Sequence, residues 1–127
     1  MTEEEQKMII QSYIAAYNSF DIDGMVALVH QEVVFKNIAA AGVNAEATGA
    51  EQFRELAVES KAIFSSRHQK ATNFKFTGDV VTADIALEAV LAVDLPNGMK
   101  AGEVLRLEGR SEFEFKNGKL YRITDYS

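Results

Sequence analysis

The chain has 127 residues, of which 47% are hydrophobic and 25% charged, with a formal net charge of −6. This length and composition suit one globular domain around one core, and the acidic balance argues against nucleic acid or an anionic membrane as a partner. With no cysteine, disulfides, thiolate metal sites and cysteine nucleophiles are excluded, and a cytoplasmic location is favoured.

MTEEEQKMII is acidic and lacks a long apolar run, so it is not expected to be a signal peptide. No stretch approaches the roughly 18 apolar residues of a membrane span. His30 and His68 lie far apart, and neither HExxH nor a glycine-rich phosphate loop is present. No metal or cofactor is therefore implied.

Residues 3 to 20 predict a helix, because Ile9, Ile10, Tyr13, Ile14, Tyr17 and Phe20 recur at helical spacing. Glu3, Glu4 and Glu5 fall in its first turn, where carboxylates favour the helix dipole. Asp21 is placed to cap a short second helix over about 22 to 29, and His30 is expected to close it. VVFKN, residues 33 to 37, then reads as a strand. Its last residue, Asn37, shares a face with Val33 and Phe35, so a polar amide stands on an apolar surface.

IAAAGVNAEATG predicts a loop or short hairpin. Thr48 and Glu51 have the spacing of a capping box for a third helix over about 50 to 65. From residue 67 the apolar period becomes two. Phe74 and Phe76 alternate in one strand; Val81, Ala83, Ile85, Leu87, Ala89 and Leu91 in the next; Leu105, Leu107, Gly109, Ser111, Phe113 and Phe115 in another. Gly78-Asp79, Leu95-Pro96-Asn97-Gly98 and Asn117-Gly118 are turns, and the last strand runs from Lys119 to Tyr126. The alternation turns Asp84 and Glu88 outward, together with Arg106, Glu108, Arg110, Glu112 and Glu114. Helices followed by long antiparallel strands predict an α+β domain, with three N-terminal helices on one face of a curved sheet. The interior of such a cone is a natural ligand cavity.

YIAAYNSFDIDGMVALVHQEVVFKN, residues 13 to 37, resembles the opening of ketosteroid isomerase, within the NTF2-like (SnoaL-like, cystatin-fold) superfamily. SEFEFKNGKLYRITDYS, residues 111 to 127, is similar to its closing hairpin. The resemblance implies that Tyr13 takes the place of an oxyanion-donating tyrosine. It also implies that Asn37 stands where those isomerases keep their proton-abstracting aspartate, and Ser111 where they keep a second, protonated aspartate. An amide cannot shuttle a proton near neutral pH, so the isomerase reaction itself is not expected.

The resemblance sets Ile123 and Asp125 on the cavity side of the last strand, which makes Asp125 the leading acid–base candidate beside Tyr13. The bland alternative leaves Asp125 solvated or paired with Arg122 or Arg67. Tyr17, Phe35, Asn37, Phe53, Ser111, Phe113 and Ile123 are the expected ligand contacts. The expected ligand is a small, largely apolar molecule. A homodimer through the outer sheet face is the expected assembly.

Overall fold

The computed structural model describes residues 1–127. Thr2 and Glu5 open helix α1 (Glu3–Asn18) with reciprocal backbone bonds of 3.1 and 2.9 Å, a capping box that the sequence reading did not single out. The helix stops where Phe20 takes a left-handed conformation, φ 58°, and the Asp21 N–H folds back onto the Ala16 carbonyl at 2.8 Å. Asp21 caps α2 (Ile22–Leu28) as expected, accepting from the Gly24 N–H at 2.9 Å.

Strand β1 (Val29–Ala39) begins earlier than the apolar run suggests, so His30 lies in a strand and not at a helix end. Its Nδ1 accepts from the Glu32 N–H at 3.0 Å. The small-residue stretch forms a hairpin with β2 (Gly42–Thr48). That pairing displaces the expected cap of α3 (Ala50–Ile63). Thr48 is held opposite Val34 in the ladder, one residue too early, and Gly49 makes the corner at φ 89° with no side-chain cap. Gln52 Oε1 bonds the Thr48 N–H at 3.0 Å instead of Glu51 closing a box.

Phe64 belongs to β3 (Phe64–Thr77) rather than to the helix face. β4 (Val80–Leu91), β5 (Val104–Lys116) and β6 (Lys119–Tyr126) complete a six-stranded curved sheet in the order β2-β1-β6-β5-β4-β3. The β1–β6 contact is parallel and all others are antiparallel. The architecture is therefore the α+β cone expected, with one parallel seam that local periodicity cannot reveal.

Ile10 and Ile14 of α1 pack with Val33, Val81, Phe113, Phe115, Leu120 and Ile123 in one core. Asn18 locks the far end of α1 to β3 by giving and taking backbone hydrogen bonds at Gln69, 3.0 and 2.7 Å. The helices cover only part of the inner face. Leu107, on β5 beyond that cover, is 43% exposed. No helix is long and apolar enough to cross a membrane.

Candidate active site

The uncovered part of the inner face and helices α1 and α3 enclose a cavity of about 390 Å³. Most of its lining is apolar, which suits a largely apolar guest. Phe53 of α3 and Phe113 of β5 pack around the Tyr13 ring at 6.3 and 6.4 Å between centroids, and Phe35 meets Phe53 edge-on at 6.1 Å.

The polar groups are few and ordered by the sheet. Asn37 on β1 is the register partner of Asp125 on β6, Asp125 is the partner of Ser111 on β5, and Ser111 is the partner of Ala83 on β4. These positions form one row across adjacent strands, about 4.8 Å apart. Asn37, Asp125 and Ser111 all face the cavity. The two positions that the ketosteroid isomerase resemblance assigns to carboxylates thus hold an amide and a hydroxyl, and the carboxylate stands on the strand between them.

Ser111 Oγ donates to Asp125 Oδ1 at 2.6 Å. Neither arginine of the bland alternative reaches Asp125: Arg122 faces Glu114 at 4.0 Å, and Arg67 binds the Tyr17 carbonyl at 2.7 Å. Burial raises the Asp125 carboxyl to about 6, against the opposing pull of the Ser111 hydrogen bond. Burial, reinforced by the Asp125 charge, pushes the Tyr13 phenol well above its usual range. Tyr13 is therefore a proton-bearing donor at every physiological pH, and Asp125 is a group that exchanges its proton near neutrality.

Tyr17, one turn along α1, also lines the cavity; burial raises its phenol while the Arg67 charge opposes the rise. Tyr13, Tyr17, Phe35, Asn37, Phe53, Ser111, Phe113 and Asp125 thus converge on one space. Ile123 does not. It shares the Asp125 face but lies deeper, fully buried in the core, so it backs the wall instead of forming it. Asp84 and Glu88 point outward as parity required. Asp84 accepts from Asn73 at 2.7 Å and Glu88 from Arg106 at 3.1 Å. Glu108 and Arg110 depart from the expected outer series, since both also reach the cavity rim.

Arg67 is the residue that sequence reasoning missed as part of this site. It is buried to 5% exposure, stacks on the Tyr17 ring at 3.7 Å and on Phe20 at 4.5 Å, and lines the cavity. The only available signal was its two-residue spacing from Gln69, on a strand whose two lysines, Lys70 and Lys75, are exposed. No cluster of three histidine or carboxylate side chains stands close enough to hold a metal ion.

The family model of the SnoaL-like domain matches residues 10–123. The chain belongs to the SnoaL-like family. None of the curated proteins matches it in sequence. Among solved structures, this SnoaL-like chain is similar to a hypothetical protein with a ketosteroid isomerase-like fold from Catenulispora acidiphila, solved with trimethylamine. Identity is 18%, the match covers 94% of this chain and 84% of that one, and the TM-score is 0.76.

A Xanthomonas campestris protein named as a polyketide cyclase matches at 21% identity and TM-score 0.77, over 98% of this chain and 90% of its own. A Mycobacterium tuberculosis protein described as an LEH-like epoxide hydrolase matches at 14% identity and TM-score 0.77, covering 97% and 82%. At such identities the likeness speaks to the fold, which hosts differing chemistries.

Proposed function

We propose that this SnoaL-like protein performs cofactor-independent acid–base chemistry, of isomerase, cyclase or lyase type, on a small and largely apolar carbonyl compound. The observation that carries this reading is the row Asn37–Asp125–Ser111 on the cavity floor, with its central carboxyl raised to about 6. Tyr13 would hydrogen-bond the substrate oxygen and stabilise the charge that gathers there as a neighbouring C–H loses its proton. Asp125 would take that proton and return it at another position, while Ser111 holds the carboxylate's other oxygen and Asn37 orients the guest. The apolar walls keep water away from the enolate. The cyclase and hydrolase names among structures of this fold agree with chemistry that needs no cofactor.

A second reading, of a ligand-binding protein without turnover, draws support from the amide at position 37, which binds but does not shuttle protons. A homodimer joined across the outer sheet face is part of the same proposal, motivated by the charged residues of alternating sign along β5.

The test begins with a thermal-shift screen of phenolic and ketonic polycyclic compounds against wild type and Tyr13→Phe. A ligand of the native state raises the melting temperature by mass action, and loss of that rise in Tyr13→Phe marks the phenol as the anchor. For any ketone that binds, hydrogen–deuterium exchange at its α-carbon is then followed by NMR. The expected result is exchange that increases through about pH 6 and falls by about 10²- to 10⁴-fold in Asp125→Asn. Binding with no exchange at any pH favours the second reading.

A further inference from the structure

Arg67 enters the cavity from β3, at the end of α1, far from the Asp125 row. Its ladder partner on β4 is Ala89, whereas the row crosses β4 at Ala83. Those β4 positions are about 20 Å apart along the strand. The two charged groups form no ion pair, yet both act on the phenols of Tyr13 and Tyr17 between them. The cavity therefore has two poles bridged by two tyrosines.

The guanidinium is held firmly but incompletely. Nε donates to the Tyr17 carbonyl at 2.7 Å, in the last turn of α1, where the helix dipole favours a cation. Nη1 donates to Ser60 Oγ at 3.3 Å. Nη2 is buried with no hydrogen-bond partner, the one such side-chain atom in the protein. No carboxylate lies within ion-pair distance of Arg67; the salt bridges of the molecule all involve other, more exposed residues.

An arginine cannot shed its charge as a buried lysine or acid does. A buried cation without a counter-ion is costly, as is a buried donor without an acceptor. Folding has ordered the guanidinium against two aromatic faces, in a residue that lines the cavity, and left its Nη2 buried without an acceptor. A planar guanidinium edge matches a carboxylate better than any neutral acceptor.

We infer that the molecule bound in this cavity carries a carboxylate at one end, which pairs with Arg67, while its carbonyl-bearing end lies against Tyr13 and Asp125. This inference rests on the reading of the cavity as a ligand site and narrows it to aromatic or polycyclic carboxylic acids. The separation of the poles also fixes orientation. A carboxylate beside Asp125 would be repelled by it above about pH 6, where that group is ionised. Arg67 therefore acts as a specificity residue and takes no part in proton transfer.

Naphthoate and naphthamide make a matched probe pair, with the same rings and the same shape but a charge on only one. Calorimetric titration at neutral pH is expected to give naphthoate an affinity for wild type at least about tenfold above that of naphthamide. In Arg67→Gln that preference disappears while naphthamide binding persists. The guanidinium nitrogens of Arg67 in the wild-type protein, followed by NMR, shift on adding naphthoate and not on adding naphthamide. This second readout holds even if Arg67→Gln fails to fold. Equal affinity of the two probes for wild type, or naphthoate binding that leaves the Arg67 resonances unmoved, overturns the inference but leaves the cavity a ligand site. Failure of both probes to bind overturns both readings together.

Discussion

The two poles of the cavity bury ionisable groups by opposite means. At the β5–β6 pole, burial lifts the Asp125 carboxyl to about 6, so the group sheds its charge by taking a proton as the pH falls below that value. One hydroxyl, from Ser111, is enough to hold it there. At the α1–β3 pole, burial lowers the Arg67 guanidinium from its usual value but leaves it a cation. The fold must supply that cation with two aromatic faces, a helix-end carbonyl and a serine oxygen. An acid that can become neutral is suited to proton transfer, whereas a cation that cannot is suited to recognition. On the function proposed here, the contrast separates chemistry from specificity within a single cavity.

Gly109 offers the sharpest way to break the first pole. It sits two residues before Ser111 on β5, and a Cβ there would collide with the Tyr126 carbonyl, a backbone atom with little freedom to move. Gly109→Ala is expected to push the end of β6 outward, cost about 3 kcal/mol or more in urea denaturation, and disturb Asp125 next to it. The second pole breaks with Arg67→Ala, which removes the stack on Tyr17 and Phe20 and the stronger of two hydrogen bonds to the Tyr17 carbonyl, leaving it the Phe20 N–H at 3.2 Å. Its expected cost is about 2–3 kcal/mol by the same measurement, independent of pH across the range where Asp125 titrates.

Asp125→Asn moves stability in the other direction. The folded carboxyl titrates near 6, above its ordinary 3.8. Between those values the native state holds more protons than the unfolded chain, so wild-type stability falls as pH rises through that window and is flat above it. The asparagine carbonyl can still accept from Ser111 but never ionises. The variant should therefore be about 1–3 kcal/mol more stable than wild type at neutral pH, and the gap should close near pH 4. Melting curves at several pH values check both claims; a gap unchanged with pH would mean that Asp125 is not the titrating group.

Tyr13→Phe should have the smallest effect on stability, under about 0.5 kcal/mol, because no protein group hydrogen-bonds the hydroxyl it removes. Its effect belongs in ligand stabilisation and turnover, and a large loss of melting temperature without ligand would contradict the open cavity.

Much of the first pole was legible in the chain. The alternation of β1 and β5 put Asn37 and Ser111 on inward faces, the family resemblance put Asp125 there, and the outward turn of Asp84 and Glu88 followed from alternation along β4. Ile123 shows the limit of parity, which distinguishes faces but not depth. Thr48 shows another limit. Its spacing to Glu51 fits a capping box, but the β1–β2 hairpin claims Thr48 first, and a ladder outweighs a local motif. The second pole was hidden for a related reason. A charged residue on a strand is expected outside, and Arg67 comes inside only because α1 brings Tyr17 and Phe20 over it.

By itself, the sequence determined the elements and their inward faces, because helical and two-residue periods are written in near neighbours. It also determined that the chain offers no thiol, and that an amide stands at the position the resemblance assigns to the isomerases' base. Only the tertiary structure decided that β1 runs parallel beside β6, and so that Asn37, Asp125 and Ser111 share one row. It alone decided that Arg67 is a buried cation with one nitrogen left without an acceptor. Both facts depend on residues far apart in the chain meeting in a low-dielectric cavity, where distance and desolvation, and not residue type, set what a side chain can do.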